Sequence, residues 1–162
     1  MTTIADIYQG AERLINNLIR KEMFAQGHHL TGAMEESVDS SVSKKGKADV
    51  MEGFAAHYTQ YVNDGVPAAS ASMKQFPFLV EYFKKRGLEE KEAKGAAAAT
   101  IKVWMKEGMS TQASKRFSST GSRQNMIENA FVGAQSQIDE YMSNGLDFVV
   151  EERFQKEKSE TI

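Results

Sequence analysis

Few residues in this chain have the type and spacing that chemistry requires. His28 and His29 are adjacent, so on a regular helix or strand their side chains diverge, and neither has a second ligand at the i, i+4 spacing of a helical metal site. A solvated loop pair is the expectation. His57 stands beside Tyr58 and has Asp64 within reach as an acid partner, the outline of a hydrolytic base, but no nucleophile motif accompanies it. The run KKGKAD invites comparison with a phosphate-binding loop. Ser41 occupies the place of the first glycine in G-x-x-x-x-G-K-[ST], and Ala48 replaces the hydroxyl residue that would bind magnesium, so a lysine-rich turn is expected instead. Ser41 and Lys44 fit S-x-x-K without the partner motifs of the serine enzymes that use it.

The carboxylate pairs Glu35-Glu36, Glu89-Glu90 and Glu151-Glu152 are consecutive, whereas paired acid and base work needs two carboxyls facing each other across a cleft. They read as solvated faces. The absence of cysteine excludes disulfides, thiolate metal sites and thiol nucleophiles. The expectation is a non-enzymatic protein with no catalytic residues, no metal and no cofactor.

Around these residues the elements follow from periodicity. Ile4, Ile7, Ala11, Leu14, Ile15 and Leu18 recur at three- and four-residue steps, predicting a long N-terminal helix that Gly27 ends. From Leu30 to about Gly53, Val38, Val42 and Val50 sit among serines and glycines, with SKKGKAD in the middle, which predicts a hairpin of two strands; TGAMEES also fits a helical turn. FAAHYTQYV fits either a third strand or a short helix, closed by Asn63-Asp64-Gly65.

The second half is helical. FLVEYFKKRG places Phe78, Leu79, Tyr82 and Phe83 on one side and cations before Gly87; the next helix carries a stripe of Ala97, Ile101, Trp104 and Met105. A polar loop, MSTQASKRFSSTGSRQ, leads to a last helix with Ile127, Phe131, Ala134, Ile138, Tyr141, Met142, Val149 and Val150, and Gly145 inside it predicts a kink or break. The tail from 158 to 162 is expected to fray. The fold class is therefore α+β, biased toward α: a long N-terminal helix, a small antiparallel sheet, and a helical second half with a long C-terminal helix.

With 162 residues the chain fits one domain; 41% hydrophobic and 26% charged residues and a net charge of −2 are ordinary for a globular protein and unlike a dedicated nucleic-acid binder. No segment approaches the ~20 apolar residues of a bilayer span, and the N-terminus lacks a basic region followed by an apolar run, so synthesis in the cytoplasm without membrane attachment is expected. One local exception is SKRFSSTGSRQ, basic and free of acids, with Lys115, Arg116 and Arg123 around Phe117. DNA phosphates, an acidic protein partner, or no specific ligand all fit it.

Both prolines, Pro67 and Pro77, bound the polar run AASASMKQF, read as too small-sided to pack a core and therefore as a loop pinned at both ends and presented outward. The order LTGAMEESV, HYTQYVNDG, a proline-bounded connection and FPFLVEYFKKRGL resembles the small tail-completion, or neck, proteins of tailed bacteriophages, the group that includes minor tail protein Z. Leu30 to Val38 match that family's first strand; Tyr58, Tyr61, Val62 and Gly65 its aromatic segment; Pro77 to Leu88 its first inserted helix. Ala97, Ile101, Met105 and Gly108 extend the match, and Arg116-Phe117 lies where an R-F pair often follows that glycine. Met34, where leucine is usual, and Asp64 depart from the pattern.

The resemblance implies a single domain over 1–157 in which about 66–124 is a loop-plus-helices insertion. It implies a virion structural protein at the head-to-tail junction or in the tail, forming a hexameric or dodecameric ring of itself. The partners implied are portal or connector and tail proteins, with transient contact to passing genomic DNA. Interface residues expected on this basis are Asn63, Asp64, Pro67, Lys115, Arg116, Phe117 and Arg123. The alternative is a cytoplasmic protein-binding module or regulator acting through the C-terminal helix.

Overall fold

A computed structural model describes residues 3–160. The protein is α+β; among the described residues there are seven α-helices and one two-stranded antiparallel sheet, in the order α1 (Ile4–Ala25), α2 (Ala33–Glu36), β1 (Asp39–Lys45), β2 (Ala48–Phe54), α3 (Tyr58–Asp64), α4 (Phe76–Lys85), α5 (Glu90–Glu107), α6 (Gln112–Lys115) and α7 (Met126–Glu160). The described chain divides into two compact units. The first comprises 3–22, 34–56 and 127–160; the second comprises 23–33 and 57–126, and so contains the 66–124 segment together with residues on both sides of the hairpin.

In the first unit, Thr3 and Asp6 cap α1 reciprocally: the Asp6 amide donates to the Thr3 hydroxyl at 3.2 Å, and the Thr3 amide donates to the Asp6 carboxylate at 2.7 Å. The bond from the Thr3 amide first, and then one from the Thr3 hydroxyl to the same carboxylate at 2.8 Å, hold the Asp6 carboxyl below its usual range. The predicted stripe is the buried face of α1, with Ile7, Ala11 and Ile15 inside. α7 continues through Gly145 without a break, because the glycine serves packing: a Cβ there would lie 2.9 Å from Ile7 Cγ2, and one on Gly10 would meet the Tyr141 hydroxyl. α7 also runs on through Glu160, so 158–160, expected to fray, are helical, whereas residues 161–162 of that tail lie outside the described residues.

The hairpin forms, but later than the resemblance places its first strand. Leu30 to Val38 is not a strand; it holds the single helical turn α2, with Met34 and Val38 buried. Arg20 explains the local preference, since its guanidinium donates to the carbonyls of Glu35 (3.1 Å) and Val38 (2.6 Å), consuming acceptors that a strand would offer to a neighbour. Strand pairing runs from Asp39↔Phe54 to Lys45↔Ala48, closed by Gly46-Lys47, which is the lysine-rich turn the sequence predicts. The Asn16 amide donates to Ser40 Oγ at 2.8 Å and ties β1 to α1.

The second unit is built on α4 and α5, whose Leu79, Val80, Ala93, Ala97 and Ile101 form its core, flanked by Phe76, Phe83, Leu88 and Trp104. The buried face of α4 is 76, 79, 80 and 83, the i, i+3, i+4, i+7 set, which leaves Phe78 on the opposite side and 76% exposed. Met105, expected in the α5 stripe, is exposed for the same reason of phase. α4 ends as predicted at Gly87, where the Leu88 amide bonds Phe83 O and the Gly87 amide bonds Lys84 O in a Schellman pair. FAAHYTQYV resolves into helix α3.

Candidate functional site

The residues between the two prolines do pack. They form two 3-10 turns, Ala68–Ser70 and Met73–Gln75, that rest on α5 and α4, with Ala71 buried. Ser72 caps the second turn: its amide donates to Gln75 Oε1 at 2.8 Å. Pro77 stands in the first turn of α4, where a missing N–H costs nothing. The loop is thus pinned, as expected, but it is also ordered along its length by these turns.

Its ends are closed by backbone pairing. The Met109 amide donates to Val66 O at 2.8 Å and the Val66 amide to Met109 O at 3.3 Å, an isolated antiparallel bridge. Gly65 and Gly108, each just before a bridge residue, have φ of 76° and 79° with ψ near 180°, a region open in practice to glycine alone. Gln124 fastens the same point, its Nε2 donating to Asp64 O (3.0 Å) and Met109 O (3.3 Å).

The expected interface residues divide into two sets. Asn63 is buried; its Nδ2 donates to Asp64 Oδ1 at 2.9 Å and its carbonyl accepts from the Asn125 amide at 2.8 Å. Arg123 is half-buried and donates to Gly27 O at 3.1 Å and to His28 Nδ1 at 3.3 Å; burial foremost, with Arg86 adding and Tyr82 opposing, pulls its pKa below the usual value. These two side chains act inside the second unit. Asp64 and Pro67 are exposed beside the bridge, and Lys115 is half-buried at the end of α6.

Arg116 and Phe117 are the outward pair. Phe117 is 64% exposed, with the Arg116 guanidinium 5.0 Å above its ring. The segment that carries them is fixed: Thr111 caps α6 by accepting from the Ser114 amide, and Ser119 donates to Ala25 O through both its amide (2.8 Å) and its hydroxyl (3.0 Å). Gly27 permits this approach, because a Cβ on it would lie 2.6 Å from Phe117 O.

The histidines have diverging side chains, as their adjacency requires. His29 meets the Phe24 ring edge-on at 5.9 Å. His28, expected in solvent, is half-buried instead, with Nε2 3.3 Å from Gln26 Oε1 and Nδ1 facing Arg123. Desolvation first, and the Arg123 charge second, lower its pKa to about 4, against a hydrogen bond with the Arg123 backbone. His57 stacks edge-on against Tyr61 at 5.5 Å, while the Asp64 carboxylate accepts from Asn63. Among the described residues no group of three or more His, Asp or Glu could hold a metal ion, and no helix is long and apolar enough to cross a membrane. A shallow recess of about 300 Å³ in the first unit is lined by Asp6, Ile7, Tyr141, Asn144, Gly145 and Phe148; its one carboxylate is already engaged by Thr3.

Sequence reasoning missed Gln124, Gln26 and Ser119, polar residues whose partners lie far along the chain; no local pattern marks them. It also missed the character of α7. Ala130, Ala134 and Val149 are buried as a stripe, yet Leu146, Val150 and Phe154, at i, i+4 and i+8 on another face, are exposed, Val150 by 66%. Comparisons with protein-family models, with curated proteins and with solved structures return no match.

Proposed function

We propose that this chain is a virion structural protein of a tailed bacteriophage, a tail-completion or neck protein that joins the head connector to the tail as a homo-oligomeric ring of six or twelve copies. It catalyses no reaction; its work is assembly, with the connector on one side, tail protein on the other and the genome passing through. The observation that carries the proposal is the second apolar face of α7. A helix that buries one stripe in its own unit and exposes Leu146, Val150 and Phe154 on another has a surface suited to a neighbouring subunit. The long N-terminal helix, the helical pair after the proline-bounded connection and the long C-terminal helix, which the sequence resemblance implies, support the same reading, although its first strand at 30–38 does not form. Interfaces of about 800 Å² per partner would hold each copy in place.

The test is negative-stain microscopy of a phage lysate in which the gene is deleted, with the intact gene on a plasmid as control. DNA-filled heads beside detached tails are expected; complete infectious particles would overturn the proposal. The exposed face of α7 also suits a monomeric binding module that captures one partner through this helix. A purified chain that stays monomeric and binds a host or phage protein one to one favours that alternative.

A further inference from the structure

The segment from Met109 to Gln124 carries three bases, Lys115, Arg116 and Arg123, and no acid, whereas the stretch from Asn125 to Glu152 carries six acids and no lysine or arginine. Each charge asymmetry coincides with exposed apolar surface. On the basic side it is Phe117 beneath Arg116, held by the fixed backbone of 117–119. On the acidic side Asp147 and Glu151 alternate along α7 with exposed Leu146, Val150 and Phe154.

We infer that the Arg116–Phe117 tip of one copy docks on the Leu146–Asp147–Val150–Glu151 face of α7 in a second copy of this chain. The two surfaces match in both respects: a cation meets a carboxylate pair, and an aromatic ring meets an aliphatic stripe. Arg and aromatic anchors dominate binding energy when they are presented rigidly, and the Ser119 and Thr111 hydrogen bonds supply that rigidity. Because the two patches are different surfaces of one chain, repeated head-to-tail use of the contact closes a ring or extends a filament, the two-fold dimer in which each tip meets the other's face being the smallest closed form. This deepens the ring proposal and rests on it for the expectation that copies meet head to tail.

Sedimentation velocity of the full chain tests the inference. The unaltered protein is expected to form oligomers that weaken as salt rises, since the contact is partly ionic. Arg116→Glu, and separately the pair Asp147→Lys with Glu151→Lys, are each expected to weaken association about tenfold or more while leaving the circular dichroism spectrum unchanged. Mixed together, the two variants pair an intact tip with an intact acidic face and the reversed tip with the reversed face, so they are expected to associate with each other where neither associates alone. The variant carrying all three reversals is expected to recover assembly.

A protein that is monomeric at about 100 μM and low salt, variants that assemble like the unaltered chain, or a mixture that does not associate would each overturn the contact. Loss of DNA binding by Arg116→Glu with self-association unchanged would do the same and assign the tip to phosphate. The two proposals fail separately. Assembly through other surfaces removes this contact and leaves the ring, whereas assembly through this contact beside a deletion lysate full of complete particles removes the virion role.

Discussion

Val66 and Met109 exchange both of their backbone hydrogen bonds, so the start of the proline-bounded segment is fastened to the chain two residues beyond α5. The bridge can form only because the chain turns at Gly65 and Gly108 through conformations that side chains resist. Alanine at 65 would bring a Cβ to 2.5 Å from the Met109 carbonyl and into Gln124 Nε2, so strain and steric conflict add. Gly65→Ala is expected to cost at least about 1–3 kcal/mol, a fall of several degrees in melting temperature. Gly108→Ala, whose nearest obstacle is Val66 O at 3.0 Å, should cost less. Thermal melts followed by circular dichroism check the ranking; equal or unchanged midpoints would contradict it.

Arg20 carries the second prediction. Its two donors satisfy the carbonyls of Glu35 and Val38 in one fork, a geometry that a lysine ammonium cannot reproduce. Arg20→Lys is expected to lose about 1–2 kcal/mol and Arg20→Met about 2–3, because the part-buried Val38 carbonyl loses its guanidinium donor while the Glu35 carbonyl keeps the Val38 amide. Amide exchange measured by NMR gives the more specific check: protection across β1 and β2 should fall in Arg20→Met while that of α4 and α5 stays unchanged.

What could be read in advance from the sequence, and what could not, divides along the range of the interactions. Periodicity identified α1, α4, α5 and α7, and Gly27 and Gly87 marked two helix ends, because these depend on residues a few positions apart. At 30–38 the sequence left a strand and a helical turn both open, and the strand that the resemblance placed there does not form, because the arginine that stabilises the turn lies a helix away at position 20. The same holds at the site. Arg116 and Phe117 were visible as a basic aromatic pair, but their fixation by Ser119 on Ala25 O, and the diversion of Arg123 to Gly27 and His28, join residues more than ninety positions apart. Gly145 shows the ambiguity in a single residue: low helix propensity and close helix packing leave the same mark in a sequence.

That ambiguity is testable by comparing glycines within helices. A Cβ added to Gly95 in α5 or Gly133 in α7 would meet nothing within 4 Å, so Gly95→Ala and Gly133→Ala are each expected to stabilise by about 0.5–1 kcal/mol through helix propensity. Gly145→Ala gains the same propensity but presses on Ile7, whose Cγ2, Cγ1 and Cδ1 lie 2.9–3.3 Å from the added carbon. It is expected to be neutral or destabilising, and to cost less in an Ile7→Ala background, where all three opposing atoms are gone. Chemical denaturation of these variants decides it; a gain at 145 equal to that at 95 would mean that close packing does not select the glycine.

His28 gives the chain a defined response to acid. Arginine can only donate, so the 3.3 Å approach of Arg123 Nη2 makes Nδ1 the acceptor and puts the ring proton on Nε2, facing Gln26 Oε1. Desolvation of the charged ring first, and the Arg123 cation that a proton on Nδ1 would face second, lower the folded-state pKa to about 4, below the 6.5 expected of the unfolded chain. Between those values the unfolded chain binds a proton that the folded chain refuses, so stability is full above pH 6.5, declines as pH falls, and loses nothing further from this group below about 4. His28→Gln keeps a neutral polar side chain and removes the titration. Its melting temperature should therefore change less than that of the unaltered protein between pH 7 and pH 4.5. Parallel slopes for the unaltered protein and His28→Gln would contradict the assignment, as would an NMR titration of His28 with its midpoint near 6.5.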